Sequence, residues 1–166
     1  RACIQPAPEN AQRVAFGVDW GRANDYTVVV AIDVDTGHVI EMDRFNQIDW
    51  TLQRGRLNAM YQRLKPFTIL AEQNSIGDPN IEELRKIGLP VKPFKTTAQS
   101  KQEIINSLAL AFEQESIGIP DNQILLNELQ AFSIERLPSG NYRYTAPNGM
   151  HDDTVIALAL ANKART

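Results

Sequence analysis

Carboxylates far apart in a chain do joint chemistry when the fold gathers them, and this sequence offers three acidic stations of that kind. Asp19 stands in VAFGVDWG, Glu72 in FTILAEQ, and Asp152 with Asp153 in MHDDTVIALALA. The first two close apolar runs and the third opens one. Gathered in one place they would repel, each raising its neighbours' pKa unless a cation compensates. Magnesium or manganese suits such a set, since both favour oxygen ligands. Two such ions roughly 4 Å apart orient a phosphodiester, activate a water and stabilise the departing oxygen. The chemistry on offer is hydrolysis of a nucleic-acid backbone, with no serine or cysteine nucleophile.

Adjacent helical residues diverge by about 100°, so Asp152 and Asp153 need not face the same way. Asp153 shares a stripe with Ala157, Leu160 and Ala164 and is the better core ligand beside Asp19 and Glu72. Asp152 is kept as a second ligand or water-positioning group. Plainer readings exist at every station: an Asx turn at Asp19, a solvated loop acid at Glu72, favourable first-turn charges at 152 and 153. They account for each acid separately, and less economically for the set.

Two further residues sit beside these stations. Asp25 is either a cap on the turn before TVVVAI or an accessory acid at the rim. His151 is a cap, a phosphate or proton-transfer group, or an ordinary loop histidine. The only other histidine, His38, falls on a different segment, which disfavours a histidine-rich zinc centre. Lys92, Lys95, Lys101 and Arg143 are candidate DNA contacts, with solvated surface charge as the alternative.

The elements that must position these groups fit one domain of 166 residues with a 43% hydrophobic composition, enough for a real core. Strands are expected over 14–19, 26–33 and 38–44, joined by short turns into an antiparallel meander. A helix over 50–64 ends before Pro66, and 67–71 reads as an interior strand running into Glu72. Asp78 and Pro79 suit a helix start closed by Gly88, 91–94 is a short strand, and Ser100 with Glu103 forms a capping-box pattern for a helix to about 114. A short helix over 122–130, a hairpin of 132–137 and 142–145 and a helix from His151 to Ala164 complete the chain. The class is α/β, a mixed sheet covered by helices. If the first and fourth strands are neighbours, Asp19 and Glu72 meet, and the last helix can deliver Asp153 to them.

The net charge of −3 gives no global attraction to nucleic acid, although a local basic groove can coexist with an acidic site. Cys3 is the single cysteine, so neither an internal disulfide nor a cysteine-rich metal site is available. The longest late apolar run, 155–161, falls far short of the roughly 20 residues that span a bilayer, and no membrane segment is expected. Residues 1–12, with Pro6 and Pro8, read as a linker or boundary and 13–166 as the domain.

The joint pattern of VAFGVDWGRANDYTVVVAI, FTILAEQNSIGD and PNGMHDDTVIALALA resembles the C-terminal nuclease domain of the large terminase subunit of tailed bacteriophages, over nearly the whole chain from about Val14 to Ala161. The resemblance implies an RNase H-like, RuvC-related fold and a divalent-metal endonuclease cutting double-stranded DNA during genome packaging. It implies Asp19, Glu72 and Asp153 as the catalytic acids, Asp152 as a neighbouring ligand, and two Mg2+ or Mn2+ ions. Further implications are an N-terminal ATPase motor, a viral portal and a small terminase subunit as partners, and work in the cytoplasm of the infected host at the procapsid. The chain carries no GxxxxGK[ST] phosphate loop, so the ATPase motif is not among these residues. Three rivals share some features. A junction resolvase of the same fold would pair two sites in a symmetric dimer, an actin-like domain would bind ATP, and a noncatalytic module would bind DNA without cutting it.

Overall fold

The computed structural model describes residues 3–5, 11–21, 26–46, 49–73, 77–131, 133–136, 142–145 and 152–166. The chain order is β1 (Val14–Asp19), β2 (Thr27–Asp33), β3 (Val39–Phe45), α1 (Trp50–Leu64), β4 (Thr68–Gln73), α2 (Gly77–Lys86), β5 (Val91–Lys95), α3 (Ala98–Glu113), α4 (Gln123–Ala131), β6 (Ser133–Arg136), β7 (Tyr142–Thr145) and α5 (Asp153–Ala164). A five-stranded sheet has the order β3-β2-β1-β4-β5. The expected meander is its antiparallel half, and β4 and β5 extend it in parallel. β6 and β7 form a separate antiparallel hairpin, with Glu135 opposite Arg143 in register.

Alternation along the strands divides the core into two layers. Val14, Phe16 and Val18 of β1 and Ile69 and Ala71 of β4 pack with Leu57 and Met60 of α1 and Ile81 and Leu84 of α2. Ala15, with Val28, Val30 and Ile32 of β2 and Phe94 of β5, packs on the other face with α3, α4 and α5. By the same period of two, Asp19 and Glu72 fall on the α5 face. Helix α5 is buried along almost its whole length, from Asp153 to Asn162. No described helix is long and apolar enough to cross a membrane.

Helix ends follow local chemistry, with differences from the sequence reading. The helix α1 starts where the Asp49 side chain accepts from Leu52 N, and it stops at Lys65, which adopts φ 47° just before Pro66. In α3 the capping residue is Thr97 rather than Ser100. Thr97 accepts from the Ser100 amide while Ser100 Oγ accepts from the Thr97 amide. Two overlapping boxes compete there, and the earlier one lets the helix begin as soon as β5 ends, adding backbone bonds such as Lys101 N to Thr97 O. Glu103 instead receives the Gln99 side-chain amide. Glu72 lies inside β4 rather than after it, because pairing with β5 continues through Gln73.

Within the segment read as a linker, residues 3–5 pack on the domain. Cys3 is buried, and Ile4 bridges Ile119 in parallel.

Candidate nuclease site

The two strand acids are brought together by register. In the parallel pairing of β1 with β4, Gly17 lies opposite Leu70 and Val18 opposite Ala71, which puts Asp19 beside Glu72 one step further along. Helix α5 crosses directly over β1, where Gly17 leaves no side chain in the way: a Cβ there would fall 2.3 Å from the Ala157 carbonyl oxygen. Its N-terminal turn therefore arrives at the same strand ends.

Asp19, Glu72, Asp152 and Asp153 line one cleft of about 180 Å3, with Trp20, Phe94, Thr96, Lys101 and Ile104 completing most of its wall. Asp19 (7% exposed), Glu72 (9%) and Asp153 (8%) are all buried. Burial pushes the Asp19 carboxyl well above its ordinary range, helped by its hydrogen bond with Glu72 and by the negative charges of Glu72, Asp153 and Asp152. Such a group favours a shared proton or a compensating cation.

Each of the other acids has a protein partner. Glu72 Oε2 accepts from Thr96 Oγ1 at 3.1 Å, Asp153 Oδ2 accepts from the Tyr26 amide at 3.1 Å, and Asp152 pairs with Lys101 Nζ at 3.7 Å. Among the described residues no three acidic, histidine or cysteine side chains are already gathered tightly enough to hold an ion. The fit is nonetheless chemical: four carboxylates face one ammonium across the cleft, an all-oxygen, net-negative donor set of the kind hard divalent cations take.

Two hydrogen-bonded supports hold the acid-bearing turns. After Asp19, the Gly21 amide donates to Thr27 Oγ1 at 2.8 Å, and that hydroxyl donates to Gln53 Oε1 at 2.6 Å. At the start of α5, Glu128 accepts from both the amide and the hydroxyl of Thr154. Burial pushes the Glu128 carboxyl up, opposed by those two bonds and by the charge of Arg44. Neither support was anticipated from sequence, where nothing local singles out Gln53, Thr27 or Glu128.

The candidate DNA contacts separate. Lys101 reaches the cleft, whereas Lys92 and Lys95 are exposed on edge strand β5, three residues apart and so on opposite faces. Arg143 has its backbone on β7, and the expectation for its side chain lies outside what is described. Asp25 and His151 also lie outside the described residues.

Comparison with known proteins agrees with this architecture. The family profile described as Terminase RNaseH-like domain matches residues 16–164. The large terminase subunit of Thermus virus P23-45 is 34% identical over 147 residues, covering 88% of this chain and 30% of the relative. The chain thus spans about 30% of the length of the curated relatives it matches. The crystal structure of the large terminase nuclease from thermophilic phage G20c is 31% identical, with a TM-score of 0.81 over 96% of this chain and 85% of that one. The same nuclease with bound magnesium superposes equally well, with a TM-score of 0.81 at 31% identity, over 96% of this chain and 84% of that one. With its profile match over most of its length and its 34% identity to a large terminase subunit across 88% of its residues, the chain belongs to the terminase RNase H-like domain family.

Proposed function

We propose that this domain is a divalent-metal-dependent endonuclease that hydrolyses double-stranded DNA during viral genome packaging, with Asp19, Glu72 and Asp153 as catalytic acids and Asp152 as a further ligand. The observation that carries the reading is the convergence of β1, β4 and α5 on one buried cleft lined by all four carboxylates. A related nuclease of the same fold holds magnesium, which supports Mg2+ or Mn2+ here, with two ions as the form that suits in-line phosphodiester hydrolysis.

Asp19, whose carboxyl interacts with Glu72, Asp153 and Asp152, would hold the divalent cations together with Glu72 and Asp153, with Asp152 as a further ligand. Bound divalent cations would polarise the phosphate and lower the pKa of a water at the site. The chain's own part is to orient the carboxylates and to keep the floor dry with Trp20, Phe94 and Ile104. Without a cation, burial and the neighbouring acids Glu72, Asp153 and Asp152 disfavour a charged Asp19 carboxylate. Lys101 stands at the wall where a DNA phosphate would lie. Hydrolysis adds water across the P–O3′ bond and leaves a 5′-phosphate and a 3′-hydroxyl.

The wider setting is part of the same proposal: an ATPase motor in the full-length protein, portal and small terminase subunit as partners, and activity at the procapsid in the host cytoplasm. The decisive experiment is cleavage of plasmid and linear duplex DNA with Mg2+ or Mn2+, comparing the chain with Asp19→Ala, Glu72→Ala and Asp153→Ala. Loss of cutting in all three folded variants is expected. Equal activity in the variants and the parent would overturn the site.

A further inference from the structure

The helix α5 is capped by a side chain that belongs to another helix. Asp152 occupies its N-cap position, yet makes no side-chain cap hydrogen bond and pairs instead with Lys101 across the cleft. An N-cap side chain ordinarily accepts from the second or third helical amide, and here the second, that of Thr154, donates to Glu128 of α4. Its Oε1 accepts from the Thr154 amide at 3.0 Å and from Thr154 Oγ1 at 2.6 Å.

This arrangement is chemically expensive for a stability device. Glu128 (5% exposed) and Thr154 (0%) are both buried, and a buried carboxylate is unfavourable unless its acceptors are filled. A competent cap was already present in Asp152, since aspartate is among the preferred N-cap residues. Had Asp152 turned back to cap its own helix, its carboxylate would point away from the cleft, and position 128 could have been apolar like its neighbour Leu125. With Glu128 receiving the Thr154 donors, and with the helix dipole favouring a carboxylate there, Asp152 faces Lys101 and Asp153 receives the Tyr26 amide.

We propose that Glu128 is a positioning residue for the acid cleft: it caps α5 from α4 in place of Asp152, and so keeps the Asp152 and Asp153 carboxylates turned toward Asp19. The inference rests on the nuclease reading and adds to it a residue that touches neither DNA nor ion. Groups that orient metal ligands in this way change metal affinity by roughly 10- to 100-fold.

The test compares Glu128→Leu, Glu128→Gln and Thr154→Val with the parent chain, using calorimetric Mn2+ binding and the Mg2+ dependence of duplex cleavage, with folding checked by near-UV circular dichroism. In Glu128→Leu, Mn2+ affinity falls by roughly 10- to 100-fold and half-maximal cleavage shifts to higher Mg2+ by the same factor, while the rate at saturating Mg2+ falls by less. Glu128→Gln, which keeps an acceptor for Thr154, restores most of the affinity. Thr154→Val weakens it in the same direction, and this holds the question open to refutation even if the leucine variant does not fold. In an Asp152→Asn background the Glu128 effect shrinks, which a purely structural role does not predict. Failure of the parent to bind Mn2+ or to cleave strikes the nuclease reading. A parent that does both, beside folded Glu128 and Thr154 variants of unchanged Mn2+ affinity, overturns the role of Glu128 alone.

Discussion

A Cβ placed on Gly17 would lie 2.2 Å from the Ala161 backbone nitrogen, so β1 and α5 meet backbone to backbone. The strand that carries Asp19 and the helix that carries Asp153 are thereby held at the closest approach the chain permits. Gly17→Ala forces one of them away, and the obstructing atoms are main chain rather than a flexible side-chain tip. Overpacking of this kind costs about 1–3 kcal/mol or more. Urea denaturation of the variant should show a lower midpoint with an unchanged m-value, and Mn2+ affinity should fall with it. A midpoint equal to the parent's would mean that the α5–β1 contact yields without cost.

The raised Asp19 carboxyl makes a prediction about pH. Its folded pKa lies above its unfolded value, so between the two the folded chain binds more protons than the unfolded one. Stability therefore falls as pH rises from the ordinary aspartate range through the folded pKa of Asp19. Asp19→Asn removes this loss, and the metal-free variant should melt above the metal-free parent at neutral pH while binding Mn2+ poorly. Added Mg2+ should raise the melting temperature of the parent and not of the variant. Thermal unfolding from pH 4 to 8, with and without Mg2+, checks both signs; a lower melting temperature for Asp19→Asn at neutral pH contradicts the argument.

The distance between sequence and site is plain in a pair of aspartates. Asp19 and Asp33 each end a buried strand, and local sequence does not tell them apart. Asp33 accepts from the Thr36 hydroxyl and the Asp35 amide, a turn acid and nothing more. The antiparallel pairing of β1 with β2 sets Asp19 opposite Val28 and Asp33 opposite Val14, so the two acids leave the sheet at opposite ends. Only the parallel placement of β4 next to β1 selects the Asp19 end, and that is a long-range choice which periodicity cannot fix. The strands and most helices were legible because apolar alternation and caps are local, and the resemblance to large terminase nucleases because the order of the acids and their flanking residues can be read along the chain. Gln53, Thr27 and Glu128 were not, since each is an unremarkable polar residue until a partner distant in sequence meets it.

The Thr27 hydroxyl joins the turn after Asp19 to helix α1, accepting from Gly21 N and donating to Gln53. Thr27→Val keeps the shape and deletes both bonds, including the one from the buried Gly21 amide. A loss of about 1–3 kcal/mol is expected, with an increased Mg2+ requirement for cleavage, because the Asp19 turn is released. Thr27→Ser restores the hydroxyl and should recover most of both. Equal defects in the serine and valine variants would assign the effect to packing of the methyl group instead.

Lys101 is where the acid cleft and the DNA backbone would compete for one cation. Its pairing with Asp152 is partly exposed, with side-chain accessibilities of 35% and 28%, so Lys101→Gln should alter stability by no more than about 1 kcal/mol. Against DNA the expectation differs. A lysine that neutralises one duplex phosphate contributes about 0.9 to the slope of log K against log salt concentration, and its loss weakens binding for all sequences alike. Lys92 and Lys95, exposed on β5, serve as the comparison. Binding of the three glutamine variants to a duplex in Ca2+ across a salt series should show the slope decrease for Lys101→Gln. An unchanged slope there, with a decrease for Lys92→Gln or Lys95→Gln, would move the DNA track from the cleft wall to edge strand β5 and leave Lys101 as a counter-charge for Asp152.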